Sequence, residues 1–552
     1  MGVRRLNLTI RMLTAMLLVT IRLLRAPASA FVPSQSSAFA SARTIRYLSS
    51  LGSRSLSSTH LRASQTHKPQ QQPLADLALE EENVKIQQSL AVNDIPRNFV
   101  PIPFAYHRLI IAKVESLTNL GIGICRVPLP PKADIDPHPN PDDIQHDNRR
   151  WVIMVPNVIP GELVKLSIYR NHKNYSDADL VEVIEPSPDR VEPKCELFDV
   201  CGGCQYQHMS ISTQRSWKTR QVSDLYGRVA GLEEGVTYPA VLPALGTDDV
   251  YHYRSKITPH YDSPKKNRGI IDAIGFKQKA SRRIVDVPYC HIATEAINTK
   301  LTEVREDKFS EAREGRLKRP SKGATLLLRE ANEGVITDNN AWVTTTVKDL
   351  TFRLKAGNFF QNNPYMLPVM DDLVVDAARQ PNSKGEEMTH LIDCYCGSGL
   401  FCLGSAKHFD VCVGIEVNDL AVQEARGNAE LNDIANCKFV SASAEAIFDS
   451  EDPVTLQHRD GEAETELVSD FPRDNTVVVV DPPRKGCSEE FLAQLYAFRP
   501  ARVVYMSCDP ATQARDAKGL VGAGYDISSI QPLDLFPQTR HIECLAIFER
   551  RQ

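Results

Sequence analysis

Between about residues 101 and 187 the apolar positions fall into short alternating or apolar runs at 109–114, 121–127, 151–155, 162–168 and 180–184, divided by turns. Five such runs with no helical period of equal strength predict a small β-barrel of the OB type. Residues 128–148, dense in Pro and Asp, read as a loop within it, and 76–100 reads as a linker holding one possible helix. From about Gly357 the pattern becomes apolar strand, Gly-rich turn, helix, strand, which is the α/β doubly wound order. The segment between, 188–355, is mixed α+β. The doubly wound domain then occupies 356–552 and carries an acid-rich surface insertion at 450–474.

Residues 1–30 open with Arg4 and Arg5, carry an apolar run at 12–21 and close on Ala28, Ser29 and Ala30, the plan of a secretory signal peptide. Arg22 and Arg25 break that run well short of the roughly 20 residues that span a bilayer, so no stable membrane insertion is expected. Residues 31–75 are rich in Ser and Arg and lack acids, as in a transit peptide. The junction at Ala30, Phe31, Val32 and Pro33 resembles that of bipartite plastid presequences. A plastid is therefore the expected location, with another organelle or the secretory route as the alternative. The 13 Cys, unevenly spread through 552 residues, do not make the disulfide framework of a secreted domain.

Composition sharpens the question of a partner. The net charge of -5 is an average, because the first 75 residues hold ten Lys or Arg and no acid, leaving 54 basic against 69 acidic residues, or -15, in the rest. An RNA partner then requires basic residues concentrated locally. Segment 254–283 supplies nine Lys or Arg against two acids, with Arg254, Lys256, Arg282 and Arg283 at its ends. On the barrel, Arg149, Arg150, Lys165, Arg170, His172 and Lys173 form either a phosphate-facing surface or an ordinary solvated face.

Cys195, Cys201 and Cys204 stand at spacings of five and two intervening residues, and Cys290 follows about ninety residues on. Gly202 and Gly203 let the backbone close tightly around a bound group. Four thiolates suit an iron-sulfur cluster or zinc. Three close thiols and a distant one favour an iron-sulfur cluster, with zinc as the alternative, because zinc ribbons show two close pairs.

Three strand ends carry the remaining chemistry. Asp393, Cys394, Tyr395, Cys396, Gly397, Ser398 and Gly399 close a strand in a Gly-x-Gly turn, and a second apolar strand ends in Glu416, placed to bond ribose hydroxyls. These two elements fit NAD or S-adenosylmethionine equally. The third, an apolar strand ending in Asp481, Pro482 and Pro483, resembles the acid-Pro-Pro corner that holds a nucleobase in methyltransferases. A further strand delivers Cys508 beside a helix whose amino-terminal dipole is expected to lower its pKa. Carbon 5 of uracil is a poor nucleophile until a thiolate adds at carbon 6, and Glu543, at the start of the last strand, is a base for the carbon 5 proton.

Taken in order, the four cysteines, Phe359-Phe360-Gln361-Asn362-Asn363, the Asp393–Cys394 strand end with its Gly397 and Gly399 turn, Asp481-Pro482-Pro483-Arg484-Lys485-Gly486, Ser507-Cys508-Asp509-Pro510 and His541-Ile542-Glu543 resemble the RNA uracil-5-methyltransferases of the rRNA and tRNA type. The resemblance spans about residues 101–550, and it is to the subgroup with an amino-terminal TRAM domain. It implies a Rossmann-like methyltransferase domain, a TRAM barrel at 101–187 and a cluster-binding central domain at 188–355. It further implies catalytic Cys508 and Glu543, S-adenosylmethionine contacts from Gln361, Tyr395, Glu416 and Asp481, and a 4Fe-4S cluster on Cys195, Cys201, Cys204 and Cys290. The substrate is rRNA or tRNA, methylated to 5-methyluridine by a chain acting as a monomer. Three positions depart from the family: Asp509 stands for Asn and adds an acid beside the thiol, and Leu400 and Ser443 lack the usual polar contact. A cytosine-5-methyltransferase would carry Cys in place of Pro483, and an RNA-binding protein that had lost catalysis would bind without methyl transfer.

Overall fold

The computed structural model describes residues 74–91, 94–129, 150–263, 270–317, 323–447, 455–456 and 466–552. The leader expected over 1–75, the loop at 128–148 and the insertion at 450–474 fall wholly or mostly outside these residues. At the end of that insertion, Val468 and Phe471 are buried in the core rather than on the surface.

Helix α1 (Leu74–Ser89) precedes five strands, β1 (Leu109–Leu117), β2 (Gly123–Pro128), β3 (Arg150–Val155), β4 (Leu163–Asn171) and β5 (Tyr175–Glu185). They close a barrel in the order β1-β2-β3-β5-β4, with β3 and β5 parallel. Alternation sends Val114, Cys125, Ile153, Val164, Leu166 and Ala178 inward, where they form the barrel's own core. Buried Asn83 of α1 exchanges two hydrogen bonds with the backbone of Leu109, at 2.7 and 3.2 Å, and fixes the helix on the barrel edge. The barrel's basic residues are not a uniform phosphate-facing surface: Lys165 pairs with Glu82, Arg150 with Glu115, and His172 with Asp177.

The central segment carries α2 (Ile211–Leu225), short antiparallel strands and α3 (Glu295–Arg313). Ser210 starts α2 by accepting from the Thr213 amide, and Thr294 starts α3 the same way from Ile297.

The carboxyl-terminal part is a seven-stranded sheet: β6 (His390–Cys394), β7 (Val411–Glu416), β8 (Cys437–Ser441), β9 (Thr476–Val480), β10 (Arg502–Ser507), β11 (Tyr525–Leu533) and β12 (Glu543–Arg550). Its order is β8-β7-β6-β9-β10-β12-β11, with β6 to β10 parallel. Strands β9 and β10 are buried at every position, as continuous apolar runs covered on both faces should be. Helices α4 (Leu367–Ala378), α5 (Leu400–Ser405) and α6 (Asp419–Leu431) cover one face. Helices α7 (Glu489–Phe498) and α8 (Pro510–Gly522), joined by α2 of the central segment, cover the other. Strand β12 runs antiparallel between β10 and β11. Its first residue therefore reaches the edge where the parallel strands deliver their last. Among the described residues, no helix is long and apolar enough to cross a membrane.

The loop at 534–542 that leads into β12 is held from the central segment. Lys218 of α2 and Asp534, neither with exposed side chain, form an ion pair at 2.6 Å, and Arg215 adds a second contact to Asp534 at 3.3 Å. Gln214 and Gln538 exchange bonds of 2.9 and 3.0 Å, the Tyr253 hydroxyl donates to Pro537 O at 2.8 Å, and Asn363 donates to Leu535 O at 2.8 Å. Removing Lys218 leaves buried Asp534 with only the longer Arg215 contact. Lys218→Met should therefore lower unfolding free energy by about 3–5 kcal/mol, measured by urea denaturation; a loss under about 1 kcal/mol would show that the pair does not brace the loop.

Candidate active site

One cavity of about 910 Å³ opens at the carboxyl edge of the sheet, and Gln361, Tyr395, Glu416, Asp481, Cys508 and Glu543 all line it. The structure thus brings together all six residues singled out for cofactor and catalysis. At one end, Gly397 and Gly399 adopt left-handed φ of 55° and 91°, which glycine takes without strain. Tyr395 adopts φ 66° without that freedom, so its backbone is strained where it meets the cavity. Glu416 accepts from the amides of Gly397 at 3.2 Å and Asn418 at 2.8 Å, fixing its carboxylate at the turn. Asp393 lies behind the turn, fully buried, with Oδ2 accepting from Cys402 N at 3.0 Å. Burial and the Asp481 charge push its pKa well up. Leu400 and Ser443, two of the three departures, also line the cavity.

At the other end β10 delivers half-buried Cys508, and Glu543 at the start of β12 lies across the same edge, one residue beyond the Ser507 and Cys544 register pair. The dipole expectation for the thiol is corrected. Burial pushes Cys508 up to about 12, and the Glu543 and Asp481 carboxylates add to this against Arg484; Asp509 raises it further. The helix offers little in return because Asp509 caps α8, accepting from Ala511 N at 3.0 Å. Burial likewise pushes Asp481 up to about 7 and Glu543 well above the carboxylate range. Burial and the cations Arg484, Arg540, Lys218 and Arg254 push His541 down to about 4, so its imidazole is neutral at pH 7.

Cys195, Cys201, Cys204 and Cys290 line a second cavity of about 300 Å³, and all four thiols are free. The loop bearing the first three packs onto the basic segment: Gly202 donates to Lys277 O at 2.9 Å, where a β-carbon would meet that oxygen at 2.9 Å. Asn298 of α3 holds Cys290 by donating to its carbonyl at 3.1 Å and accepting from its amide at 2.8 Å. Among the described residues, no three His, Cys, Asp or Glu are grouped closely enough to hold a metal ion. Arg254 and His541 line both cavities and stand between them. The basic segment is only partly an open surface. Lys256 donates to Gly357 O and Asn358 O, each at 3.0 Å, whereas Arg282 and Arg283 are exposed; 264–269 lies outside the described residues.

Residues 292–551 match the family model described as tRNA (Uracil-5-)-methyltransferase. The chain is 35% identical over 457 residues to the tRNA (uracil(54)-C(5))-methyltransferase of Schizosaccharomyces pombe, covering 80% of this chain and 79% of that protein. The chain belongs to the RNA uracil-5-methyltransferase family. The methyltransferase of the same description from Saccharomyces cerevisiae is 30% identical over 528 residues, covering 83% of this chain and 76% of its own. In fold, this family member is similar to the Pyrococcus abyssi tRNA (uracil-54, C5)-methyltransferase solved with S-adenosyl-L-homocysteine, with TM-score 0.54 and 20% identity over 80% of this chain and 100% of that one.

Two residues of this methyltransferase's cavity escaped the sequence reading. Buried Glu424 of α6 accepts from Lys355 N and Asn358 Nδ2, each at 2.8 Å, and from Ser398 Oγ at 3.0 Å, tying the segment before Gln361 to the glycine turn. Its one sequence signal is an acid beside Val422 and Ala425 on the buried face of a helix. Phe536, in the loop before Glu543, gave no signal. Below its pKa Cys508 is the unreactive thiol, so its alkylation should climb about tenfold per pH unit from pH 7 to 10. Site-resolved mass spectrometry after iodoacetamide labelling reads this, and a plateau below pH 8 would contradict the raised pKa.

Proposed function

We propose that this chain is an S-adenosylmethionine-dependent methyltransferase that forms 5-methyluridine in tRNA. The observation that carries the reading is the convergence of Cys508 and Glu543 with Gln361, Tyr395, Glu416 and Asp481 on one cavity. Both yeast relatives carry names that specify tRNA, which favours it over rRNA as the substrate. S-adenosylmethionine supplies an electrophilic methyl group. Glu416, fixed by two amides, suits the ribose hydroxyls, and Asp481 with Pro482 suits the adenine edge.

The target uridine is turned out of its RNA loop into the cavity. The Cys508 sulfur bonds to carbon 6, which makes carbon 5 nucleophilic toward the methyl group. Glu543 then takes the carbon 5 proton, and the electron pair released expels the Cys508 sulfur. Burial keeps Cys508 and Glu543 protonated in the free cavity and holds Asp481 near its midpoint at pH 7. A bound sulfonium cation favours their ionised forms, so the nucleophile and base form once the methyl donor is seated.

The donor set of the second cavity, four thiols converging with Gly202 and Gly203, fits a 4Fe-4S cluster on Cys195, Cys201, Cys204 and Cys290. Zinc, which also takes four thiolates, is the alternative. Methyl transfer moves no net electrons, so the group would act by tying the loop of the first three cysteines to the start of α3. The barrel at 101–187 serves as a TRAM-type RNA-binding domain, 188–355 as the cluster-binding domain, and the leader as a plastid address on a monomeric enzyme.

Cys508→Ala should abolish methylation of tRNA by a labelled methyl donor, and Glu543→Gln should accumulate a protein–RNA adduct that survives a denaturing gel. Normal 5-methyluridine formation by the Cys508 variant would sink the covalent route. Anaerobically purified protein should contain iron and acid-labile sulfide that Cys290→Ser removes, whereas stoichiometric zinc with no iron would overturn the cluster.

A further inference from the structure

Beside the thiol cavity the rings of His252, Tyr289 and His291 stand in a row, with centroids 6.1 and 5.0 Å apart and planes inclined at 69° and 71°. Two of them are held: Glu295 accepts from the Tyr289 hydroxyl at 2.8 Å, and His252 Nδ1 meets Ala293 O at 3.1 Å with Glu295 3.4 Å away. Tyr289 keeps 36% of its surface exposed, a large share for a tyrosine whose hydroxyl is anchored. Tyr289 and His291 line the thiol cavity, and that cavity shares Arg254 and His541 with the catalytic one. The row is thus one cavity wall away from Cys508 and Glu543.

We propose that this row is a stacking surface for an unpaired nucleobase of the substrate RNA, next to the uridine that enters the catalytic cavity. It rests on the function proposed above. Turning a uridine out of a loop unstacks its neighbours, and an aromatic face replaces the lost contact for any base. Charges of both signs surround His291, with Lys194 opposing the Glu196 and Glu295 carboxylates, so it is the aromatic faces rather than net charge that select a base here. Lys194, whose ammonium lies 4.7 Å over the Tyr251 ring, is a cation for a neighbouring phosphate, and Arg282 and Arg283 are exposed. Because Glu295 fixes Tyr289 and Ala293 O fixes His252 before RNA arrives, little ordering entropy is lost there on binding.

The test uses the full chain and a tRNA transcript bearing 2-aminopurine at each position flanking the methylated uridine in turn. Tyr289→Phe keeps the ring but loses its bond to Glu295, so it should retain the quenching with a rise in KM smaller than that of the double variant. The Tyr289→Leu, His291→Leu double variant should raise KM for tRNA roughly tenfold with kcat little changed, and should lose the fluorescence quenching seen at one position. Unchanged KM and quenching in the double variant, with methylation intact in the unaltered enzyme, would overturn the stacking surface alone. No methylation by the unaltered enzyme would sink the underlying function and this inference with it. Crosslinking of the unaltered enzyme to 4-thiouridine at the same positions needs no variant. Crosslinks on Tyr289 or His291 support the surface, and crosslinks confined to other residues overturn it.

Discussion

Lys218 and Asp534 meet at 2.6 Å with no exposed side chain, and this ion pair joins a helix of the central segment to the loop that feeds the last strand. Two opposite charges taken out of water stabilise little by themselves, because their desolvation offsets most of their attraction. What they impose is position. Lys218 and Arg215 both stand on α2 and both meet Asp534, so the depth and rotation of α2 against the sheet are set by where the two cations reach one carboxylate. The reciprocal Gln214 and Gln538 bonds and the Tyr253 hydroxyl on Pro537 O then fix the remainder of the loop. Glu543 follows directly, so its place at the cavity depends on a helix more than three hundred residues upstream.

That dependence explains why the central segment and the sheet cannot be treated as a binding part and a chemical part. Helix α2 covers one face of the sheet beside α8, while Arg254 and His541 divide the thiol cavity from the catalytic one. A group that tightened the loop of Cys195, Cys201 and Cys204 against Cys290 would act on the same wall from its far side. A purely structural role for those cysteines is therefore compatible with a large effect on activity.

Much of the fold was legible because burial writes itself as period. Alternation marked the five barrel strands, and the unbroken runs at 476–480 and 502–506 marked strands covered on both faces. The six cavity residues were legible for a related reason: each stands at the end of such a run or beside a glycine or proline that breaks it. Glu424 and Phe536 were not, since one lies inside a helix and the other in a loop, and only contacts across the fold give them a task. Lys256 misled for the opposite reason. A lysine in a basic run reads as surface, yet its ammonium closes on two backbone carbonyls and pins the segment that leads to Gln361. Composition counts charge, and only the fold shows which charge is already engaged.

The thiol shows the same limit in its chemistry. From sequence, a cysteine ahead of a helix gains from the dipole; in the structure Asp509 occupies the amide that would have helped, and burial with two nearby carboxyl groups outweighs the remainder. The free cavity therefore holds a neutral thiol, a neutral Glu543 and a neutral His541 around Arg484. A cationic methyl donor changes this balance more than an uncharged uracil can, because its charge acts on all the acidic groups together. On the proposed function, the donor must be seated before the thiolate forms, so that a uridine entering the cavity alone meets no nucleophile.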